Sequence, residues 1–502
     1  MAEPATVRDL IERQAENQPE ATYAMLAEGG QSMSYARLAA DCRTVQAWLR
    51  SHGSAPGDVV SVVMPNGLQT LRILLGAMHG GWCVNPVNLL AQPEQMRYVL
   101  AHSDCRVIFV SPDREAMIRE MAEGLGREVA VIVTEPDAVG VPGGLAQADA
   151  GPVPRPDTLA LLMYTSGTTG KPKGVMLTQA NLVANAIAIS DEHDLGAADR
   201  VLAVLPLYHI NAFTVTMLAP MARGGSLAMV PRFSAGAFWA QALDAQCTWI
   251  NVVPTIVSYL LEGREAPAAA SAIRFCRSAS AALPPEHLRA FEIRFGIGIV
   301  ETMGLTETAA PAFSNPLDPS RRKVGSVGRA SGCEARVIDA ASGAELADGT
   351  IGEIVIRGPN VMVGYYKNEE ATRSSFIADG WLRTGDLGYR DADGFFFVTG
   401  RIKELIIKGG ENIAPREIDE VLLRHPAVLE AAAVGIPDRH YGQEIMACVV
   451  PREGRPCSED ELRGFCEQHL GRYKTPKVFR FVAELPRGPS GKVQRLKLLD
   501  AV

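Results

Sequence analysis

The sequence predicts an α/β fold, in which a large N-terminal domain of stacked sheets with crossover helices precedes a small α+β C-terminal lid domain. Three observations predict it. At 502 residues the chain exceeds what one hydrophobic core covers, so more than one domain is expected. Over the first 400 residues short β-rich runs alternate with longer helical patterns, which implies parallel strands joined by crossover helices. Near Arg401 this character changes, and the remainder, about one hundred residues, suffices for one small domain. The expected domains are therefore 1–400 and 401–502.

The elements follow in order. Residues 58–64 (DVVSVVM) read as a buried strand, and 68–78 then repeat apolar residues at helical spacing. Residues 105–110 and 129–133 are two further strands with a helical stretch between them. The pattern returns with strands at 249–253 and 273–276. A helix is expected from Pro285 to Phe295, its proline pre-set for a first turn. Beyond Arg401, 415–424 reads as a helix and 428–436 and 445–450 as strands. Ser458 followed by Glu459, Asp460 and Glu461 opens another helix with a capped, acidic first turn. No repeat of 20 to 50 residues and no low-complexity tract interrupts the series.

Composition narrows the function. Apolar residues make up 47% and charged residues 21%, as in ordinary globular proteins, which excludes a disordered chain. The net charge of −8 disfavours a partner with a phosphate backbone, so no nucleic acid is expected. No apolar run approaches the roughly 20 residues that span a bilayer, and the acidic start MAEPATVRDLIERQAE is no secretory signal. Nine scattered cysteines form no CxxC pair and no Cys/His cluster at zinc spacing, which suits a reducing cytoplasm and predicts no transition metal.

The most unusual segment is Tyr164-Thr165-Ser166-Gly167-Thr168-Thr169-Gly170-Lys171-Pro172-Lys173-Gly174, directly after the apolar run 159–163. Its glycines let backbone approach a polyphosphate, its hydroxyls and amides donate to phosphate oxygens, and its lysines supply charge. Only two residues separate Gly167 from Gly170-Lys171, too few for a Walker A loop. A flexible surface hairpin is the competing reading.

The string YTSGTTGKPKG resembles the phosphate loop of adenylate-forming enzymes, the superfamily of acyl-CoA synthetases, peptide-synthetase adenylation domains and luciferases. Further motifs resemble that family in the expected order across residues 164–492. Leu205-Pro206-Leu207-Tyr208-His209 looks like the motif at the acyl pocket, and the stretch from Arg277 to Pro284 like the adenine-side loop. Glu301-Thr302-Met303-Gly304-Leu305-Thr306-Glu307 looks like the second nucleotide loop. Trp381 to Asp386 is similar to the ribose motif, Gly400 to Glu404 to the hinge, and Pro489-Ser490-Gly491-Lys492 to the catalytic-lysine turn.

The resemblance implies ATP, Mg²⁺ and coenzyme A as cofactor or co-substrates, with a small-molecule carboxylate, in a monomer or homodimer. It implies ATP contacts from Thr165 to Lys171, Lys173, Ser280, Ala281, Ala282, Glu301, Thr302, Met303, Asp386 and Arg401. The catalytic set is Lys492, Thr306 and Glu307, with Glu307 also holding Mg²⁺ through the phosphates, since Mg²⁺ takes few carboxylates plus substrate oxygens. His209, Asn211 and Gly304 face the carboxylate substrate. Lys403 is the hinge, and Lys408, Gly409 and Gly410 line the thiol path, unless the two glycines merely close a hairpin. Met303 stands where the family often carries an aromatic to stack on adenine.

Three functions are compared: an acid–CoA ligase, an adenylation enzyme serving a separate carrier protein, and a non-catalytic nucleotide-binding regulator. The run His209-Ile210-Asn211-Ala212-Phe213 lacks the acid that would hold an amino-acid amine, and Glu307 and Lys492 are both present, so the ligase is expected. Arg274-Phe275-Cys276-Arg277-Ser278 and neighbouring segments resemble the branch of oxalate–CoA and small-acid ligases. The run Ala309-Ala310-Pro311-Ala312-Phe313 offers no donor for a second carboxylate, so an apolar or weakly polar tail is expected.

Overall fold

The computed structural model describes residues 3–140, 151–165, 171–263, 272–487 and 493–501. Two large sheets form its body. The nine-stranded sheet runs Arg329–Ala330, Ala310–Ser314, Ile299–Leu305, Phe275–Ser278, Trp249–Val252, Arg200–Ala203, Ser226–Met229, Thr22–Leu26, Ser32–Ser34. Its centre is parallel and its edges antiparallel. The seven-stranded sheet runs Gly364–Tyr365, Lys173–Thr178, Leu159–Thr165, Cys83–Pro86, Val59–Val63, Val107–Val110, Ala130–Val133.

A shared core joins these sheets. All twelve residues of the Leu68–His79 helix are buried, as expected of a helix covered on every side. It touches strands of both sheets, and Val60 and Leu161 of one sheet share a continuous core with Val201 and Ile250 of the other. Parallel strands enclosed in this way carry apolar residues on both faces, which explains why they read as unbroken apolar runs.

A smaller sheet of Glu334–Ile338, Gly352–Arg357, Trp381–Arg390, Phe376–Ile377 and Phe396–Arg401 follows. Its pairing continues through Arg401, opposite Asp386. A separate five-stranded sheet begins at Ile406, covered by helices Pro415–Leu423 and Glu459–Lys474 around its own core. Ser458 caps the second helix, its hydroxyl accepting from Glu461 N–H. Among the described residues no helix is long and apolar enough to cross a membrane.

One expected strand is displaced. Its apolar pattern suggested 273–276, but the ladder holds Phe275–Ser278, because Trp249 pairs with Phe275 and Ser278 with Glu301. Register in a central parallel strand follows the neighbours on both sides. The consequence is that Arg277 lies inside the sheet and not in the loop that follows it.

Candidate active site

The phosphate-loop motif connects two paired strands. Leu159–Thr165 and Lys173–Thr178 are antiparallel, with Thr165 opposite Lys173. Ser166, Gly167, Thr168, Thr169 and Gly170 lie outside the described residues, as does Lys492. The Lys171 ammonium lies 5.8 Å from the Tyr98 ring, and that of Lys173 lies 4.9 Å from the Tyr365 ring. Tyr365 sits on the edge strand beside Val175, and its phenol donates to Glu307 Oε1 at 2.8 Å. Burial and the Glu307 carboxylate push the Tyr365 hydroxyl's pKa up, so it stays a donor. Lys173, Tyr365 and Glu307 therefore converge beside the expected phosphate loop. Tyr365 was not legible as a site residue, since a tyrosine on a two-residue edge strand carries no motif.

Glu307 and Thr306 lie on a short turn, Thr306–Thr308, that closes the Ile299–Leu305 strand. Gly304 precedes it where two backbones nearly touch. A β-carbon there would stand 1.9 Å from Ala310 O and 2.6 Å from Pro311 Cα. Glycine is required by the chain's own approach, a reason separate from its expected substrate contact. Among the described residues no ammonium or guanidinium lies within ion-pair distance of Glu307, and no three-ligand metal cluster exists. A single oriented carboxylate fits Mg²⁺ bound through substrate phosphates.

The other nucleotide residues fall along strand ends. Glu301 pairs with Ser278, and burial pushes its carboxyl pKa up to about 7 despite nearby Arg416 and backbone donors at Gly325 and Leu283. Thr302 is buried with its hydroxyl unpartnered, and Met303 pairs with Phe313 and packs on the small-sheet core. Ser280 adopts a positive φ of 76°, and Ala281 and Ala282 after it are exposed. Asp386, which is buried, forms an ion pair at 2.6 Å with the exposed Arg401 on the adjacent strand. Gly385 turns at φ 70°, its N–H donating to Glu353 Oε1.

On the acyl side, His209 closes a turn onto Pro206 O, its ring edge-on to Tyr208. Asn211 begins a π-helical segment, Asn211–Leu218, a widened turn common at functional sites. Its Nδ2 donates to Ser280 Oγ at 3.4 Å, which joins a residue expected to face the carboxylate to one expected at ATP. Its Oδ1 accepts from Arg277 Nη1 at 2.6 Å, and Arg277 Nη1 also donates to Asn251 Oδ1 at 2.8 Å. Arg277 is 1% exposed, has no carboxylate partner among the described residues, and its pKa is pushed down by burial. Asn251 and this role of Arg277 were not legible in the sequence. The one signal was an arginine directly after the apolar pair Phe275-Cys276.

Lys403 lies on the turn Ile402–Glu404, between the Phe396–Arg401 strand and the C-terminal sheet that begins at Ile406. Lys408 is buried, where it pairs with Glu444 at 2.5 Å and donates to Tyr473 O at 2.8 Å. Its ammonium is thus engaged inside this domain. Gly409 and Gly410, at φ 56° and 87°, close the two-residue hairpin between Ile406–Lys408 and Glu411–Ile413. Type I′ turns require this pair of positive φ values. Both glycines are nevertheless exposed at the hairpin tip.

Comparison with known proteins accounts for this arrangement. The model of AMP-binding enzymes matches residues 11–366, and that of the AMP-binding enzyme C-terminal domain matches 417–492. The chain is 60% identical over 498 residues to the sulfoacetate–CoA ligase of Cupriavidus necator, covering 99% of this chain and 97% of that one. It is 35% identical to the oxalate–CoA ligase of Arabidopsis thaliana, covering 98% and 97%. Its fold superposes on ATP-bound MatB from Rhodopseudomonas palustris with a TM-score of 0.93 at 31% identity, covering 98% of each chain. The chain belongs to the AMP-binding enzyme family, within the adenylate-forming superfamily of the acyl-CoA synthetases.

Proposed function

We propose that this protein activates a short carboxylate bearing a second strong anion, with sulfoacetate as the leading substrate. The chain is an ATP-dependent acid–CoA ligase working through an acyl-AMP intermediate. The observation that carries the substrate class is the identity with the Cupriavidus necator enzyme, sustained across almost the whole of both chains. This reading departs from the apolar or weakly polar tail expected from 309–313, and the identity with the sulfoacetate–CoA ligase is what supports it.

In the first step a substrate carboxylate oxygen attacks the α-phosphorus and pyrophosphate leaves. In the second the coenzyme A thiol attacks the acyl carbon and AMP leaves. Lys173 supplies fixed charge at the phosphates. Tyr365 donates to one Glu307 oxygen, which orients the carboxylate. Bound Mg²⁺ would neutralise phosphate charge and be held by Glu307 and phosphate oxygens. Asp386, buried and paired with Arg401, accepts from the ribose hydroxyls. His209 and Asn211 wall the acyl pocket. Lys492 bridges the α-phosphate and the attacking carboxylate, and a swing about Lys403 removes it before thiol attack. The turn 402–404, lying between two separately paired sheets, supports that pivot. Nine unpaired thiols support a reducing, cytoplasmic setting.

The test is pyrophosphate release over a panel of sulfoacetate, oxalate, acetate and 3,3-dimethylbutanoate, with thioester formation measured in parallel. Sulfoacetate is expected to give the highest kcat/KM. Faster turnover of an acid without a second charge refutes the substrate class.

A further inference from the structure

Among the described residues the guanidinium of Arg277 is a cation in the core without a counter-ion. Its Nη1 is shared between two neutral amide oxygens, Asn211 Oδ1 and Asn251 Oδ1. These hold the group in place without cancelling its charge. Among the described residues, buried Nε has no partner and no carboxylate forms an ion pair with Arg277. A buried charge in this state is costly unless something binds it.

The surroundings are polar on the same side. Arg277 pairs with Asn251 on one neighbouring strand and with Val300 on the other. Thr302, two residues beyond Val300, therefore shares that sheet face, and its hydroxyl is buried and unpartnered. The π-helical segment with Asn211 packs over the Trp249–Val252 strand, and its buried Thr214 hydroxyl also has no partner among the described residues. The cluster connects to the substrate pocket through Asn211, which donates to Ser280. Asn211 bridges Ser280 and Arg277, which sets the guanidinium behind the asparagine as seen from Ser280.

We infer that Arg277, held by Asn211 and Asn251, binds the distal oxyanion of the substrate, a sulfonate or a second carboxylate. The inference rests on the ligase reading above and adds the residue that selects the substrate. With Nη1 committed to the asparagines, the other edge of the guanidinium is left to take two oxyanion oxygens side-on. A neutral apolar tail in the same place would leave the charge buried and unpaired.

The experiment compares sulfoacetate with 3,3-dimethylbutanoate, which replaces the sulfonate by an uncharged group of similar shape. Wild type, Arg277→Met, Arg277→Lys and Asn251→Asp are assayed for kcat/KM with each acid. Sulfoacetate binding is measured by calorimetry in the presence of a non-hydrolysable ATP analogue, and folding by thermal melting. The ratio of kcat/KM for sulfoacetate over the isostere is expected to fall by about 10²-fold in Arg277→Met. Arg277→Lys, which keeps the charge, should retain part of the preference. Asn251→Asp, which places a competing carboxylate on the guanidinium, should lower sulfoacetate affinity without removing the arginine.

A ratio unchanged in Arg277→Met and Asn251→Asp overturns the inference and leaves the ligase reading intact. So does equal loss of both acids in a folded variant, which would make Arg277 a packing residue. Wild type that binds sulfoacetate through Arg277 but yields neither pyrophosphate nor thioester overturns the ligase reading and leaves the subsite standing. Wild type that neither binds sulfoacetate nor prefers any dianion over its isostere overturns the inference as well.

Discussion

Glu301 makes stability depend on pH in a way that one substitution isolates. Its ordinary pKa of 4.5 rises to about 7 in the fold, with burial the largest cause. Arg416 and the backbone N–H groups of Gly325 and Leu283 oppose the rise without cancelling it. The folded state thus holds the proton more tightly than the unfolded chain. Glu301's contribution is fully present below about pH 4.5 and is lost as pH rises toward 7. The gap corresponds to about 3 kcal/mol. Glu301→Gln keeps the side chain's shape and an acceptor oxygen but cannot ionise. Urea denaturation of wild type and variant, followed by tryptophan fluorescence from pH 4.5 to 8.5, gives the difference between them, in which other titrations cancel. The two proteins should be close in stability at pH 4.5. Wild type should weaken by about 3 kcal/mol relative to the variant by pH 7 and stay level beyond it. A difference that does not change with pH refutes the reasoning, and a wild type that gains on the variant as pH rises reverses its sign.

Three further outcomes are expected. Gly304→Ala forces a β-carbon onto the Ala310 carbonyl, so it should prise the adjoining strands apart and cost about 3 kcal/mol along with adenylation activity; a melting temperature and a pyrophosphate-release rate equal to wild type would contradict this. Tyr365→Phe removes the hydrogen bond on Glu307, so half-saturation by Mg²⁺ should need about tenfold more metal, and an unaltered Mg²⁺ titration counts against the orienting role. Lys408→Met leaves Glu444 buried without its cation, a loss of about 3 to 5 kcal/mol. The double variant Lys408→Met/Glu444→Gln should recover much of this in thermal melts, and no recovery would mean the two charges are not coupled.

The sequence alone was enough for the α/β class and for several strands and helices of the two large sheets. The helix Pro285–Phe295 begins and ends where its proline and apolar spacing place it. Hydrophobic periodicity and capping chemistry are local, so they can be read one segment at a time. The family motifs were legible for a similar reason: glycines, hydroxyls and lysines that bind polyphosphate cluster within eleven consecutive residues. Asp386 and Arg401 were both expected in the site, and antiparallel pairing sets them opposite one another.

Tertiary structure decided what depends on residues distant in the chain. The Phe275–Ser278 strand takes its register from the strands on either side, and that shift carried Arg277 from a loop into the core. The three partners Asn211, Asn251 and Arg277 lie on three separate elements, and no spacing in the sequence relates them. Tyr365 reaches Glu307 across 58 residues, and Lys408 finds Glu444 inside its own domain. Local pattern specifies which face of an element turns inward. Which charges meet there, and which buried charge is left without a partner, depends on packing between elements, and no single segment encodes it.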